Sequence, residues 1–388
     1  MKAVLMNKKT PILDIEIEDG LIKKTGRVLN EGLMPIHLVP ELKLEDLQKW
    51  FMGRRIPQKR EGLPEARKGF AGFEKDKNYF SLSDQYWVRY TQSETWDKLN
   101  FFTNRYSTEV GKIFFEPWAV DKENMMAPSP DRTTNGVLIK RWVQDASGKS
   151  FLHKAGSEVY HQEPLSEVMA SMMLEKLKLV PFVPYELIVD GLRFCSRCQN
   201  FVTADTEFVP AAALYKKKPR PESVSHYDHL LNVCEQHGVS GAKDFIDNMI
   251  IADHIMWNSD RHLGNFGFLR SATSGEILGF APLFDCGSAY WGTTNAVKAR
   301  SSVLFPEQEE QILKAAIKNG KITDVKVTPA MRELLKMYPD ITDEKKEQIL
   351  NTIDQAEKDM QKNMERTLGK AAAQAKKESK YDMEIEMR

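Results

Sequence analysis

Asp260 and Asn265 stand in the polar stretch Trp257-Asn258-Ser259-Asp260-Arg261-His262-Leu263-Gly264-Asn265, which follows an apolar helical pattern and leads into a short strand pattern. A turn over 271–276 and a second strand pattern over 277–284 then end at Asp285-Cys286-Gly287. Carboxylate, amide and carboxylate in this order suit phosphoryl transfer, which asks a protein for little covalent work and much positioning and charge neutralisation. Asp260 can accept the proton of an attacking hydroxyl, while Asn265 and Asp285 supply the hard oxygen donors that Mg²⁺ prefers. The separation of Asp260 from Asn265, with an Asp-x-Gly further on, is that of the base and the metal ligands in a kinase catalytic loop. A hairpin between them brings the two metal ligands to one end of one ribbon.

A nucleotide half precedes this in the order such chemistry needs. Ser129-Pro130-Asp131-Arg132-Thr133-Thr134-Asn135-Gly136 is a turn-rich loop running into a strand, suited to presenting backbone N–H groups and hydroxyls to phosphates. Lys154 ends the next strand, where an ammonium can meet the α- and β-phosphates. Glu167 lies in the first turns of the following helix and can pair with that lysine, a place Glu163 or Glu158 could also fill. The competing reading of Asp260 and Asn265 is helix capping and turn formation. His254 and His262 carry imidazoles, a group often used as a general base, but a carboxylate already fills the base role, and His262 is read as a hydrogen-bonding member of the loop. Cys195-x-x-Cys198 lacks a second pair at finger-like spacing, which argues against zinc or redox function.

The elements that must position these groups alternate in period. Residues 3–6, 12–17 and 21–22 read as short strands, with Asp19-Gly20 as a turn, and 41–60 reads as a helix followed by the basic run Arg54-Arg55-Ile56-Pro57-Gln58-Lys59-Arg60. That run is read as solvated surface, with contact to phosphates as the lesser alternative. Tyr86, Trp87, Tyr90, Trp96, Phe101, Phe102, Tyr106, Phe114, Phe115 and Trp118 are read as packing rather than base-stacking residues. Strands at 137–143 and 150–154 flank the turn Asp145–Lys149, and a helix follows from Pro164, with Met169, Met172 and Met173 as core filler. A second hairpin covers 185–202, and helices at 227–237 and 243–257 follow. Ile349, Ile353, Ala356, Met360 and Met364 repeat at helical spacing near the C-terminus. Prolines at Met126-Ala127-Pro128-Ser129-Pro130 mark a boundary, giving 1–125 as an accessory or small-lobe extension, 126–205 as a nucleotide-binding small lobe, 206–342 as a helical catalytic lobe and 343–388 as an amphipathic tail.

Composition excludes several classes. The 388 residues are 41% hydrophobic and 28% charged, as in a soluble globular protein. Lys+Arg and Asp+Glu both number 55, so no basic excess supports general nucleic-acid binding. The four cysteines fit no disulfide framework, and neither a signal peptide nor a membrane-spanning run is read, which points to the cytoplasm.

The sequence resembles the HipA-like serine/threonine kinases, whose founding member is the toxin of a bacterial toxin–antitoxin pair. The resembling motifs are Ser129-Pro130-Asp131…Thr133-Thr134-Asn135-Gly136, the strand with Lys154, Ser166-Glu167, Asn258-Ser259-Asp260-Arg261-His262…Asn265-Phe266-Gly267 and Ala281-Pro282-Leu283-Phe284-Asp285, over about residues 126–305. Ser81-Leu82-Ser83-Asp84-Gln85-Tyr86-Trp87 is also similar to the N-terminal part of such proteins. The resemblance implies a two-lobed α+β protein-kinase-like fold, with a small mixed lobe built on an antiparallel sheet and a larger, mainly helical lobe. It implies ATP and Mg²⁺ as cofactors, a Ser or Thr of a protein as acceptor, and an antitoxin or regulator as a candidate partner. On its pattern Asp260 is the base, Asn265 and Asp285 are the metal ligands, and Lys154 is the phosphate-binding lysine. The loop carries one glycine, Gly136, where kinases have a Gly-x-Gly-x-x-Gly run. In some members this loop is itself phosphorylated and ejected, for which Ser129, Thr133 and Thr134 are the acceptors available here. A kinase of a small molecule or lipid head group and an inactive nucleotide-binding scaffold are the alternatives.

Overall fold

The acid-alternating run of residues 12–17 needs one buried and one wet face, and it finds them in an antiparallel sheet. The computed structural model describes residues 1–157, 163–256, 258–289, 304–319, 326, 328–336 and parts of 342–369. Trp257, Glu158 and the C-terminal apolar positions Ile349, Ile353, Ala356, Met360 and Met364 lie outside the described residues. The chain divides into two compact units, one formed by 1–165, 183–242 and 263–284, the other by 166–182, 243–262 and 285–388. All the strands of the described residues belong to the first.

The first sheet has the order β3-β2-β1-β4, with β1 Lys2–Asn7, β2 Thr10–Glu18, β3 Leu21–Val28 and β4 Tyr86–Arg89. Asp19 and Gly20 both take positive φ, 50° and 73°, the backbone that a two-residue hairpin demands. Leu5, Leu13 and Ile15 on its inner face meet Leu47 and Phe51 of the helix Leu44–Gly53. The second sheet has the order β5-β6-β8-β7, with β5 Lys140–Gln144, β6 Ser150–Ala155, β7 Tyr185–Asp190 and β8 Arg193–Gln199. Its β5–β6 turn closes at Gly148, and its β7–β8 turn at Gly191, both at positive φ.

The third sheet, β11-β10-β9, comprises β9 Thr206–Pro210, β10 Gly267–Ser271 and β11 Ile277–Phe280. β9 has no counterpart in the sequence reading, because a glutamate, Glu207, takes one of its inward positions beside Val209 and hides the apolar alternation. Glu207 is buried against Arg270 of β10 at 2.7 Å, and Arg270 also donates to the carbonyls of Gly32 and Met34. In the second unit the regular structure of the described residues is helical, from Ser166 onward in the helix Glu163–Leu177 and through most of Ala242–Met256, then in Pro306–Lys318 and Thr328–Lys336. No helix of the described residues is long and apolar enough to cross a membrane.

Two sequence expectations need correction. The basic run is not a solvated face: Arg54 forks onto Asp84 and Arg60 is only 2% exposed, because both guanidiniums find acceptors inside the protein. Most of the aromatic set does pack, with Phe80 stacked on Trp87 and Trp96 and Phe101 around them, but Trp118 is exposed on a one-turn 3₁₀ segment.

Candidate active site

The nucleotide-loop residues fold as a 3₁₀ turn, Pro130–Thr133, capped by the Ser129 hydroxyl, which accepts from the Asp131 amide. The hydroxyls foreseen as phosphate contacts are engaged internally. Thr133 Oγ1 donates to the Phe80 carbonyl at 2.6 Å, and Thr134 Oγ1 donates to the Pro130 carbonyl at 2.8 Å and accepts from Trp142 Nε1 at 2.9 Å. Ser129 Oγ donates to Asp131 Oδ2 at 3.3 Å. What leaves the turn toward β5 is Asn135-Gly136, with Asn135 exposed, its Oδ1 accepting from the Gly136 amide, and Gly136 at φ +100°. Arg60 anchors this segment from outside the motif, donating from Nε to the Gly136 carbonyl at 2.7 Å and from Nη2 to the Thr134 carbonyl at 2.6 Å. Burial lowers the Arg60 guanidinium to about 10, opposed by the nearby Asp131 carboxylate. Burial likewise pushes the Asp131 carboxyl up to about 7, against the Trp142 amide that donates to it.

Lys154, mostly buried, stands on β6 opposite Lys140 of β5 in direct register. Trp142 and Leu152 occupy the next pair on the same face and join the aromatic cluster around Trp87. Asn265, 3% exposed, is moored by its neighbours: Leu263 and Phe266 give their carbonyls to the amides of Ala212 and Ala211. Gly267 begins β10 where a Cβ would lie 2.1 Å from the Val209 carbonyl, so glycine is required for the strand to approach β9. The same end of the ribbon is closed by the Ala281 amide, which donates to the Gly267 carbonyl.

In the second unit, Asp253 near the end of the helix Ala242–Met256 organises the loop that carries Asp260. Its carboxylate takes Arg261 Nε at 2.9 Å, Arg261 Nη2 at 3.0 Å and Asn258 Nδ2 at 2.8 Å, and its carbonyl takes the Asn258 amide. Burial alone would lower the Arg261 guanidinium, yet Asp253 outweighs it and holds the side chain firmly charged. Arg261 Nη2 also reaches Cys286 Sγ at 3.3 Å, and the Cys286 amide donates to Glu167 Oε2 at 2.9 Å. Burial pushes the Cys286 thiol up to about 12, so it is a neutral packing group. Asp285 itself holds φ +57°, a backbone that a non-glycine residue keeps only where its surroundings fix it.

The structure therefore groups Asp260, Glu167 and Asp285 in the second unit, and Lys154, Asn265 and the 129–136 loop in the first. Sequence reasoning missed Asp253, for which a lone acid in the apolar stretch Met249–Met256 was the available signal, and it read Arg60 as part of a basic surface run rather than as the anchor of the loop. His254 is bonded to Glu309 at 2.6 Å, and Cys195 and Cys198, an odd number of residues apart on β8, present opposite faces of the strand.

No family model matches the chain. It is 34% identical over 100 residues to the serine/threonine-protein kinase CtkA of Helicobacter pylori, a match over 24% of this chain that spans 30% of that relative's length. Among solved structures, the HipA of the Shewanella oneidensis HipA, HipB and operator DNA complex aligns with a TM-score of 0.59 at 12% identity, over 95% of this chain and 97% of that one. The crystal structure of CtkA aligns with a TM-score of 0.45 at 18% identity, over 60% of this chain and 91% of that one. In sequence the chain resembles a serine/threonine-protein kinase over the 100 residues matched to CtkA, and in structure it shares the α+β fold of HipA.

Proposed function

We propose that the chain is an ATP- and Mg²⁺-dependent kinase that phosphorylates a Ser or Thr of a protein. The observation that carries the reading lies within one unit: Asp253 and Arg261 fasten the loop of Asp260 to the turn Asp285-Cys286, and Glu167 fastens that turn from its other side. A candidate base and a candidate metal carboxylate are thus held on one buried scaffold. The donor set also fits the cation, since an amide oxygen and a carboxylate suit Mg²⁺ better than softer metals. When bound, Mg²⁺ offsets the charge of the triphosphate and of the developing transition state. Asp260 accepts the proton of the acceptor hydroxyl, Lys154 steadies the phosphates, and Asn135-Gly136 lines their approach. HipA is described with HipB, which makes an antitoxin-like regulator a candidate partner here.

The test is incubation of the full chain with γ-labelled ATP and Mg²⁺, alone and with a cell extract. Label on polypeptide is the expected result. Label confined to small molecules would replace the acceptor class, and nucleotide binding without transfer would make the chain a scaffold. Asp260→Asn should fold and bind nucleotide as the parent does and lose transfer by about two to four orders of magnitude; undiminished transfer removes Asp260 from its role.

A further inference from the structure

We infer that the outer face of the N-terminal sheet carries a binding site for a small zwitterion, a ligand with an ammonium and a carboxylate on one short chain. The site lies wholly within the first unit and goes beyond the kinase reading. Strands β1 to β4 bury one face in the core around Leu5, Leu13 and Ile15. Their other face is covered only in part. At Met6 and Trp87 the aromatic cluster of Phe80, Trp96 and Phe101 packs on it. Toward the start of β1 that cover ends, and a cavity of about 700 Å³ opens over Lys2, Val4, Asp14, Glu16, Lys24 and Arg89.

Register fixes which charges share this face. Val4 of β1 is directly opposite Asp14 of β2 on one side and Arg89 of β4 on the other, so the three side chains form a row across the sheet. One row away, Glu16 stands between Lys2 of β1 and Lys24 of β3, and Lys24 closes on it at 3.7 Å. Asp14 and Arg89, by contrast, make no ion pair or side-chain hydrogen bond with another described residue. The strand between them holds them apart, since two interstrand steps separate their backbones by roughly 10 Å. Gly26 of β3 stands beside Asp14, where a Cβ would lie 2.8 Å from Asp14 Cβ, so no side chain from that position covers the carboxylate. The charges left over set the chemistry of the ligand. A pure anion confronts Asp14, a pure cation confronts Arg89 and Lys2, and an uncharged molecule meets neither need. A zwitterion meets both: its carboxylate takes the guanidinium fork of Arg89, its ammonium takes Asp14, and Val4 offers apolar surface to the carbons that join them. The volume is that of a small-molecule site, and a chain of several carbons spans the row better than glycine does.

The experiment measures binding to the full chain by calorimetry, with 6-aminohexanoate, glycylglycine, hexanoate and hexylamine as probes, for the parent, Asp14→Asn, Arg89→Met and Arg89→Lys. Both zwitterions should bind, and hexanoate and hexylamine should bind about tenfold more weakly than 6-aminohexanoate, because each satisfies one charge and confronts the other. Asp14→Asn and Arg89→Met should each weaken 6-aminohexanoate about tenfold, and Arg89→Lys, which keeps the charge, should weaken it less than Arg89→Met. All three variants should melt within about 1 °C of the parent, since neither charge is paired in the fold. No binding of either zwitterion, hexanoate or hexylamine bound as tightly as 6-aminohexanoate, or parent-like affinity in both Asp14→Asn and Arg89→Met overturns the assignment. A fall of several degrees in the melting temperature of Asp14→Asn or Arg89→Met overturns it too, because the charges would then serve the fold. Each of these outcomes leaves the kinase reading as it stands.

Discussion

Replacing Arg261 by Met tests whether the scaffold under Asp260 is held as described. The guanidinium is 2% exposed, and it makes a bidentate contact with Asp253, itself 6% exposed. Met fills much of the volume, so the loss is chiefly electrostatic: Asp253 stays buried with its Asn258 bond but without its counter-charge. Breaking one side of a buried ion pair costs about 3–5 kcal/mol. Unfolding entropy of roughly 2.1 cal/mol/K per residue over 388 residues is about 0.8 kcal/mol/K, so a chain melting as one unit should lose roughly 4–6 °C. A second unit that melts alone should lose more, because the same penalty is divided by a smaller entropy. The double variant Asp253→Asn with Arg261→Met removes the orphaned charge and should recover a large part of the loss, giving a coupling of about 1–3 kcal/mol in a double-mutant cycle. Calorimetry or circular dichroism melts read all four proteins. A fall in Tm under about 1 °C for Arg261→Met, or strictly additive single variants, would refute the argument.

The Asp131 and Glu207 carboxyls, each raised by burial to about 7, hold protons in the folded state that the unfolded chain releases near pH 4. Their contribution to stability is complete below about pH 4 and is lost as pH rises through about 7, so the melting temperature should fall between pH 5 and 8. Asp131→Asn should flatten that slope, and a melting temperature that rises over this range would contradict it. Arg60→Met orphans the Thr134 and Gly136 carbonyls and should raise the KM for ATP several-fold while hastening proteolysis within 129–136; unchanged cleavage there would remove Arg60 as the anchor of the loop.

Much of the fold is written locally and was legible. The alternation over 12–17, the Asp19-Gly20 turn, the helix from Pro164 and the hairpin around Asp190-Gly191 each depend on residues near one another in the chain, and each stands where its pattern places it. The candidate catalytic loop is legible for the same reason, its spacing being contained within one loop and the ribbon after it. β9 was not, since Glu207 occupies a core position only by virtue of Arg270, a partner far along the chain. The loop hydroxyls were legible as a turn but not as internal donors, because their acceptors, such as the Phe80 carbonyl, come from a different segment.

The arginines show why sequence reasoning stops where it does. Residue type alone places a guanidinium at the surface, and the run Arg54–Arg60 reads that way. Yet Arg54, Arg60, Arg132, Arg261 and Arg270 are all buried, each donating to carboxylates or backbone carbonyls. Five donors in a planar fork can satisfy several carbonyls of an irregular segment at once, which no aliphatic side chain can do. Loops that carry chemistry are rich in such carbonyls, because they cannot pair them in helix or sheet. An arginine buried against a loop is therefore the expected brace for a site that must be irregular and fixed together. Arg60 fills that role for the nucleotide loop, Arg261 for the loop of Asp260, and Arg270 for the ribbon after Asn265.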